Sequence, residues 1–151
     1  FVHGTMVGNN MFKDERSGKI ALVAHCILNQ NSRVLGLAER SSAVTEIFEF
    51  LIRNDVGIVQ MPCPELTYSG ILRKSQIREQ YDTATFRRHC RKIASEMVKQ
   101  IQEYLKCGIR ARIIIGVDGS PSCSVIDSGI LIEELSSILK ENKIMVPFYF
   151  F

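Results

Sequence analysis

Three of the five cysteines in this chain stand where a thiol could do chemistry. Cys26 follows the apolar run KIALVAH, Cys63 follows VGIVQM and a proline, and Cys123 lies in the turn GSPSCS after RIIIGV. Thiolates are soft ligands that select zinc, copper(I) or iron–sulfur clusters. The chain has no Cys-x-x-Cys pair, which disfavours a structural zinc knuckle. Three thiolates would leave one metal position without a protein ligand, and a substrate atom could bind there.

The other two cysteines are predicted to be structural. Cys90 falls in the apolar stripe of a long predicted helix, and Cys107 lies at the C-terminal end of that helix. Because the number of cysteines is odd and no secretory signal is visible, we expect no disulfide framework and a cytoplasmic location. Their position at strand ends therefore distinguishes Cys26, Cys63 and Cys123 from the other two, although the pattern alone leaves open that the three are unrelated turn residues.

Candidate catalytic groups lie beside two of these thiols. Glu65 comes two residues after Cys63, where a carboxyl next to a metal site is a candidate proton carrier. An exposed loop glutamate is the alternative. Ser120 and Ser122 could orient a substrate or donate hydrogen bonds to cysteine sulfur. The same composition also favours a plain serine turn.

Candidate substrate-binding residues follow the first and third strands. Asn29 and Arg33 come after Cys26, and Asp118 begins the turn that contains the third cysteine. The alternative for Asn29 and Arg33 is ordinary loop polarity. His25 precedes Cys26 in a segment predicted to be extended, so the two side chains should point in opposite directions. We therefore expect a packed or surface histidine and not a further ligand.

The elements that must position these groups alternate between strand and helix along the chain. Apolar runs predict strands at residues 19–25, 56–61, 112–117 and 144–150. Helical spacing with N-cap residues predicts helices starting after Ser41 or Ser42, after Asp82 or Thr83, and after Asp127 or Ser128. The stretch CPELTYSGILRKSQIREQYD is predicted to be a long irregular loop. This alternation predicts a Rossmann-like open parallel sheet of about four strands with helices on both faces.

Such a sheet would bring the three cysteines together. Ligands of open parallel sheets bind beyond the carboxyl ends of the strands. Neighbouring strands are about 4.8 Å apart, so thiols at adjacent strand ends can approach within several ångström.

Size and charge narrow the function classes. The 151 residues fit one domain, which we place at residues 19–151, after a flexible arm or cloning remnant at residues 1–18. A net charge of +3 is too small to predict a nucleic-acid partner. No run approaches the about 20 apolar residues of a membrane span, so no membrane partner is expected. The apolar stretch VPFYFF could cover a sheet edge or form the contact of a homodimer.

Four stretches together resemble a known family. AHCILNQNSRVLG, MPCPELTYSG, YDTATFRRHC and GVDGSPSCSV are similar to the signatures of the 2-thiouracil desulfidase (TudS) family and related desulfidases, formerly a domain of unknown function. The resemblance extends from Lys19 to the end of the chain. It implies a 4Fe-4S cluster held by Cys26, Cys63 and Cys123, with one iron open to substrate. Because an open cluster is labile in air, we expect aerobically prepared protein to lose it.

The resemblance also implies a reaction. Sulfur would leave a thiolated base such as thiouracil as sulfide, by non-redox hydrolysis in which the open iron polarises the C=S bond. Glu65 would handle protons, and Ser122 or Ser120 would position the reacting groups. Ser124 stands where the family usually has Gly, which could alter a turn with positive φ. The alternative function is a non-catalytic module that binds a small ligand or zinc on the same fold.

Overall fold

The computed structural model describes residues 12–151, so residues 1–11 of the predicted arm lie outside the described part. The strands are β1 (Lys19–Val23), β2 (Gly57–Gln60), β3 (Arg110–Gly116) and β4 (Phe148–Phe150). The helices are α1 (His25–Leu28), α2 (Thr45–Arg53), α3 (Pro64–Ser69), α4 (Arg78–Tyr81), α5 (Ala84–Leu105) and α6 (Ile130–Glu141), with a 3₁₀ turn at Gln30–Ser32. Within residues 12–151, no helix combines the length and apolar character needed to cross a membrane.

The four strands form one parallel sheet in the order β2-β1-β3-β4, which confirms the predicted open α/β fold. From β1 the chain moves to β2 on one side and then crosses back to β3 on the other. Right-handed crossovers therefore place α2 on one face of the sheet and α5 and α6 on the opposite face. The direction of winding reverses between β1 and β3, and ligands bind at this kind of switch point.

The long helix α5 supplies much of the core. Its N-cap is Thr83, one of the two predicted caps, and the Oγ1 of Thr83 accepts the N–H of Phe86 at 3.2 Å. The predicted stripe is buried at every position except the last, which is half-buried: Phe86, Cys90, Ile93, Met97, Ile101 and Tyr104. Gly108, with a φ of 80°, follows the helix in the left-handed conformation that glycine adopts readily.

The cap predicted for α2 is wrong, and its apolar stripe is buried only in part. Of the apolar residues that recur at helical spacing, Val44 and Leu51 are buried and Ile47 is half-buried, whereas Phe48 and Ile52 are 46% and 52% exposed. The N-cap is Val44, which makes no side-chain capping bond, so neither predicted serine caps the helix. With only nine residues, α2 rests on the sheet through a narrow strip, which leaves the flanking apolar residues uncovered.

The segment predicted to be a long irregular loop contains two short helices, α3 and α4. The start of α3 carries ordinary helix signals: Cys63 is the N-cap, Pro64 occupies the first turn, and Glu65 is an acidic residue there. Six residues are too few to show a helical period, which is why the pattern missed this helix.

The first predicted strand also ends earlier than expected. Strand β1 stops at Val23, and α1 begins at His25, so His25 and Cys26 lie in a helical turn and not in an extended segment. The expectation that their side chains point in opposite directions is therefore wrong, because that argument holds only for a strand.

Candidate active site

A cavity of about 190 Å³ opens beyond the carboxyl ends of β1, β2 and β3, and Cys26, Cys63 and Cys123 all line it. We call the segments that carry them the first (residues 24–44), second (61–83) and third (117–129) cysteine loops. The structure thus brings together the three thiols that were singled out because each follows the end of a predicted strand. Within residues 12–151, no group of three or more His, Cys, Asp or Glu side chains is spaced to hold a metal ion.

Helix α3 positions the second thiol. The Sγ of Cys63 accepts the N–H of Leu66 at 3.4 Å, so the thiol itself caps the helix. The Oγ1 of Thr67 donates to the carbonyl of Cys63 at 2.9 Å and lies 2.7 Å from Nε2 of His89 on α5. These contacts fasten the second cysteine loop to the long helix of the core.

Backbone hydrogen bonds shape the third cysteine loop. The Oγ of Ser120 accepts the N–H of Cys123 at 3.0 Å and that of Ser122 at 3.3 Å. The carbonyl of Cys123 accepts the N–H of Val117, the residue directly after β3, at 2.8 Å. Ser120 lines the cavity, but the hydrogen bonds of its side chain serve the turn that presents the thiol.

The same loop caps α6 in place of the predicted side chains. The carbonyl of Ser122 accepts the N–H groups of Leu131 and Ile132, at 2.9 and 3.2 Å. The N-cap of α6 is a glycine with no side-chain capping bond, so the predicted caps Asp127 and Ser128 are wrong. Carbonyls of the third cysteine loop thus accept the first N–H groups of α6, which a capping side chain would otherwise accept.

Ser124 fits this turn without strain. It is fully buried, and its φ is not among the positive values found in residues 12–151. Its N–H donates to the carbonyl of Ser120 at 3.2 Å, its carbonyl accepts the N–H of Gly129 at 2.8 Å, and its Oγ accepts the N–H of Asp127. A serine at this position therefore supports the turn.

A buried hydroxyl connects the second and third cysteine loops. The Oγ of Ser122 donates to Oε2 of Glu65 at 2.7 Å, and the two residues are 1% and 8% exposed. The same Oγ lies 3.7 Å from the Sγ of Cys123. Glu65 is therefore not an exposed loop glutamate. Along the cavity wall the Ser122 hydroxyl lies between the carboxylate of Glu65 and the thiol of Cys123.

Arg73 belongs to the site but was missed in the sequence. Its side chain is 5% exposed and lines the cavity, with Nη2 donating to the carbonyl of Ser32 at 2.8 Å and Nη1 to that of Gly70 at 3.1 Å. Its Nε lies 3.6 Å from Oε1 of Glu65 and has no hydrogen-bond partner in residues 12–151. No spacing rule identifies an arginine ten residues after a cysteine in a stretch without period.

Burial dominates the electrostatics of the three thiols. It raises the pKa of Cys26 to about 11, although the nearby positive charge of Arg33 opposes the shift. It also raises the pKa of Cys63, and that of Cys123 well above the ordinary thiol value. The charges of Cys26 and Cys63 add to the shift at Cys123. At neutral pH the free thiols are protonated, so a metal group binding here must displace protons.

The predicted substrate-binding residues divide into two groups. Arg33 and Asp118 line the cavity, as does His25. Asn29 lies outside the lining, where its Oδ1 accepts the N–H of Asn31 at 3.2 Å and its Nδ2 lies 3.4 Å from Nε2 of His25. Asn29 thus shapes the 3₁₀ turn that leads to Arg33.

Neither of the other two cysteines lines the cavity. Cys90 is fully buried on the core-facing side of α5, and burial raises its pKa to about 12, with the charges of Glu134, Glu65 and Cys63 adding to the shift. Cys107 is exposed, so the interpretation of it as a packed structural cysteine is wrong. It lies two residues beyond the end of α5, outside the apolar stripe, which explains the exposure.

Fold and cavity together define a class: an open parallel α/β domain with three thiols around the switch point of its sheet. The chain is 41% identical over 129 residues to the Uncharacterized protein MJ0003 of Methanocaldococcus jannaschii, an alignment that covers 85% of this chain and 82% of that protein. It therefore belongs to the MJ0003 family. Neither a protein-family model nor a solved structure matches the chain.

Proposed function

We propose that the protein is an iron–sulfur-dependent desulfidase that removes sulfur as sulfide from a thiolated base, such as a thiouracil, by non-redox hydrolysis. The observation that carries the proposal is the presence in one cavity of three thiols and the buried hydrogen bond between Ser122 and Glu65. The resemblance of the cysteine loops to the 2-thiouracil desulfidase signatures also supports it.

Cys26, Cys63 and Cys123 are not spaced to hold a single metal ion. Their chemistry and the space between them suit a larger 4Fe-4S cluster, whose thiolate ligands bind different irons and therefore lie further apart. Thiolates are the ligands of such clusters, and each of the three comes from a separate loop around the cavity. The cavity volume of about 190 Å³ is several times the about 30 Å³ that one water occupies in the liquid, which suits a group larger than a single ion. When bound, the cluster would supply a Lewis-acidic iron with an open position for the substrate sulfur.

The chain's own residues would handle the protons. Hydrolysis exchanges the C=S bond for C=O, so water delivers its oxygen to the carbon and both of its protons finally leave with the sulfide. Glu65 accepts the hydroxyl of Ser122 through Oε2 and can take a proton from the attacking water and return it to the leaving sulfur. Ser122 keeps the carboxylate beside the Cys123 thiol, since its Oγ lies near both groups.

The cavity walls suit a flat ring with polar edges. Val34, Leu37 and Val117 offer apolar surface to the faces of a base, and Arg33 and Asp118 offer a cation and an anion to its polar atoms. These contacts support a small-molecule substrate.

Anaerobic reconstitution tests the proposal. The wild-type chain should become brown, hold about four iron and four sulfide per chain, and release sulfide from 2-thiouracil. Cys123→Ser should lose the cluster, and so should the same change at Cys26 or Cys63. Cys90→Ser is the matched control, because that buried thiol does not line the cavity, and it should keep the cluster.

Three results would contradict the proposal in different ways. Equal loss of cluster in Cys90→Ser would show that the ligands are misassigned. Zinc without a chromophore in anaerobically prepared protein would favour the zinc-binding module. A full cluster with no sulfide release from any thiolated base would support the proposed metal site but contradict the proposed activity. Glu65→Gln separates the two functions of the site, since it should lower kcat by about a hundred- to ten-thousandfold, to a residual rate that can still be measured, while the cluster remains.

A further inference from the structure

Arg73 is a buried cation with no part in the reaction described so far. Its side chain is 5% exposed, and burying a guanidinium is costly unless its donors are satisfied. Two of its nitrogens are satisfied by the carbonyls of Ser32 and Gly70. These two bonds fix the plane of the guanidinium and hence the direction of its third donor, Nε.

The Nε faces one group, the carboxylate of Glu65. It is buried without a hydrogen-bond partner in the described residues, and Oε1 of Glu65 lies 3.6 Å away, slightly beyond hydrogen-bond length. The other oxygen of that carboxylate, Oε2, already accepts the hydroxyl of Ser122. The carboxylate is therefore bracketed by a cation on one side and a hydroxyl on the other.

These contacts place Arg73 among all three cysteine loops. Ser32 belongs to the first loop, Gly70 and Glu65 to the second, and Ser122, reached through Glu65, to the third. A residue of purely local importance would contact only its own segment. The arrangement instead fixes one carboxylate relative to each wall of the cavity.

We propose that Arg73 is the positioning residue that sets the orientation of the Glu65 carboxylate for proton transfer. The proposal rests on the function proposed above. The terminal torsion of a glutamate has a broad energy minimum, so Ser122 alone would leave Oε1 free to turn. A charged donor held rigidly at Oε1 restricts that rotation. Lysine cannot replace it, because one ammonium lacks the planar fork that reaches two carbonyls and a carboxylate together.

Kinetics of Arg73→Gln and Arg73→Lys form the first test. Both variants should keep the cluster and a KM within about threefold of the wild type. The kcat should fall about ten- to a hundredfold, which is less than the about 10²–10⁴-fold of a general acid–base group, because Arg73 orients the carboxylate and transfers no proton itself. In a Glu65→Gln background, Arg73→Gln should cause no further loss, because it acts through the residue already removed. Arg91→Gln is the matched control: Arg91 pairs with Glu134 and Glu141 outside the cavity, and its loss should leave kcat unchanged.

Nuclear magnetic resonance of the full chain without cluster provides a test that needs no turnover. The Nε–H signal of Arg73 should exchange slowly with water and should shift and exchange faster in Glu65→Gln, whereas Arg91→Gln should leave it unchanged. If the wild type releases no sulfide from thiolated bases, the proposed function fails while this measurement still decides the contact. An additive loss of kcat in the double variant, or an Arg73 signal indifferent to Glu65→Gln, would overturn the positioning role.

Discussion

Replacing Gly116 by alanine should displace the third cysteine loop. A Cβ at Gly116 would lie 2.1 Å from the carbonyl oxygen of Cys123 and 3.1 Å from a methyl group of Val125. The φ of Gly116 is not positive, so the constraint is the close approach of two backbone segments and not the conformation of the glycine. A carbonyl cannot rotate away like a side chain, so β3 and the loop must separate by roughly 1 Å or more.

The cost follows from what that separation breaks. Overfilling a packed region costs about 1–3 kcal/mol. The hydrogen bond from Val117 to the carbonyl of Cys123, at 2.8 Å, would stretch, at a further cost of about 1 kcal/mol. At about 2–4 °C per kcal/mol for a chain of this size, the melting temperature of Gly116→Ala should fall by about 5–15 °C.

Circular dichroism melting and iron content after anaerobic reconstitution measure the two consequences. Gly57→Ala is the matched control, because Gly57 also lies in a strand, while its added Cβ would meet its nearest atom at an ordinary 3.6 Å. We expect Gly57→Ala to melt within a few degrees of the wild type and to bind iron normally. If Gly116→Ala matched Gly57→Ala in both measurements, the close approach of β3 and the third cysteine loop would be refuted.

Two further predictions concern titration. The hydrogen bonds from Arg40 lower the pKa of Glu46 to about 2, so the pair stabilises the fold above the ordinary carboxyl pKa of 4.5 and loses that effect as the pH falls towards 2. A carboxyl titration by nuclear magnetic resonance should return towards the ordinary value in Arg40→Gln, and an unchanged midpoint would contradict the pairing. Because burial raises the pKa of Cys26 to about 11, its alkylation in the cluster-free protein should accelerate about tenfold per pH unit between about pH 7 and 10. Mass spectrometry should find the exposed Cys107 modified first, and a pH-independent rate at Cys26 would argue against its burial.

The sequence could predict the sheet and the edge at which the thiols meet, because strand and helix periods recur along the chain and parallel strands share one carboxyl edge. It could not predict features that are short or depend on distant backbone. Helix α3 is shorter than two turns, so Cys63 looked like a loop residue although it is an N-cap. Backbone carbonyls of the third cysteine loop cap α6 in place of the expected side chains Asp127 and Ser128. The sequence does not show this, because it depends on how the loop folds back onto the helix. No sequence pattern identified Arg73, because two of its partners are backbone carbonyls, which any residue type can supply, and the third is the carboxylate of Glu65.

The meeting of Glu65 and Ser122 depends on the strand order. The two residues are 57 positions apart, and the strands that precede them, β2 and β3, are not neighbours, since β1 lies between them. Strand ends two positions apart are about 10 Å from each other, so both segments must lean inward over the end of β1 for the 2.7 Å hydrogen bond to form. The bond therefore bridges the outer cysteine loops above the central one. Cys63 and Cys123 lie in those two loops, so the pair proposed to handle protons also links the segments that carry two of the three thiols.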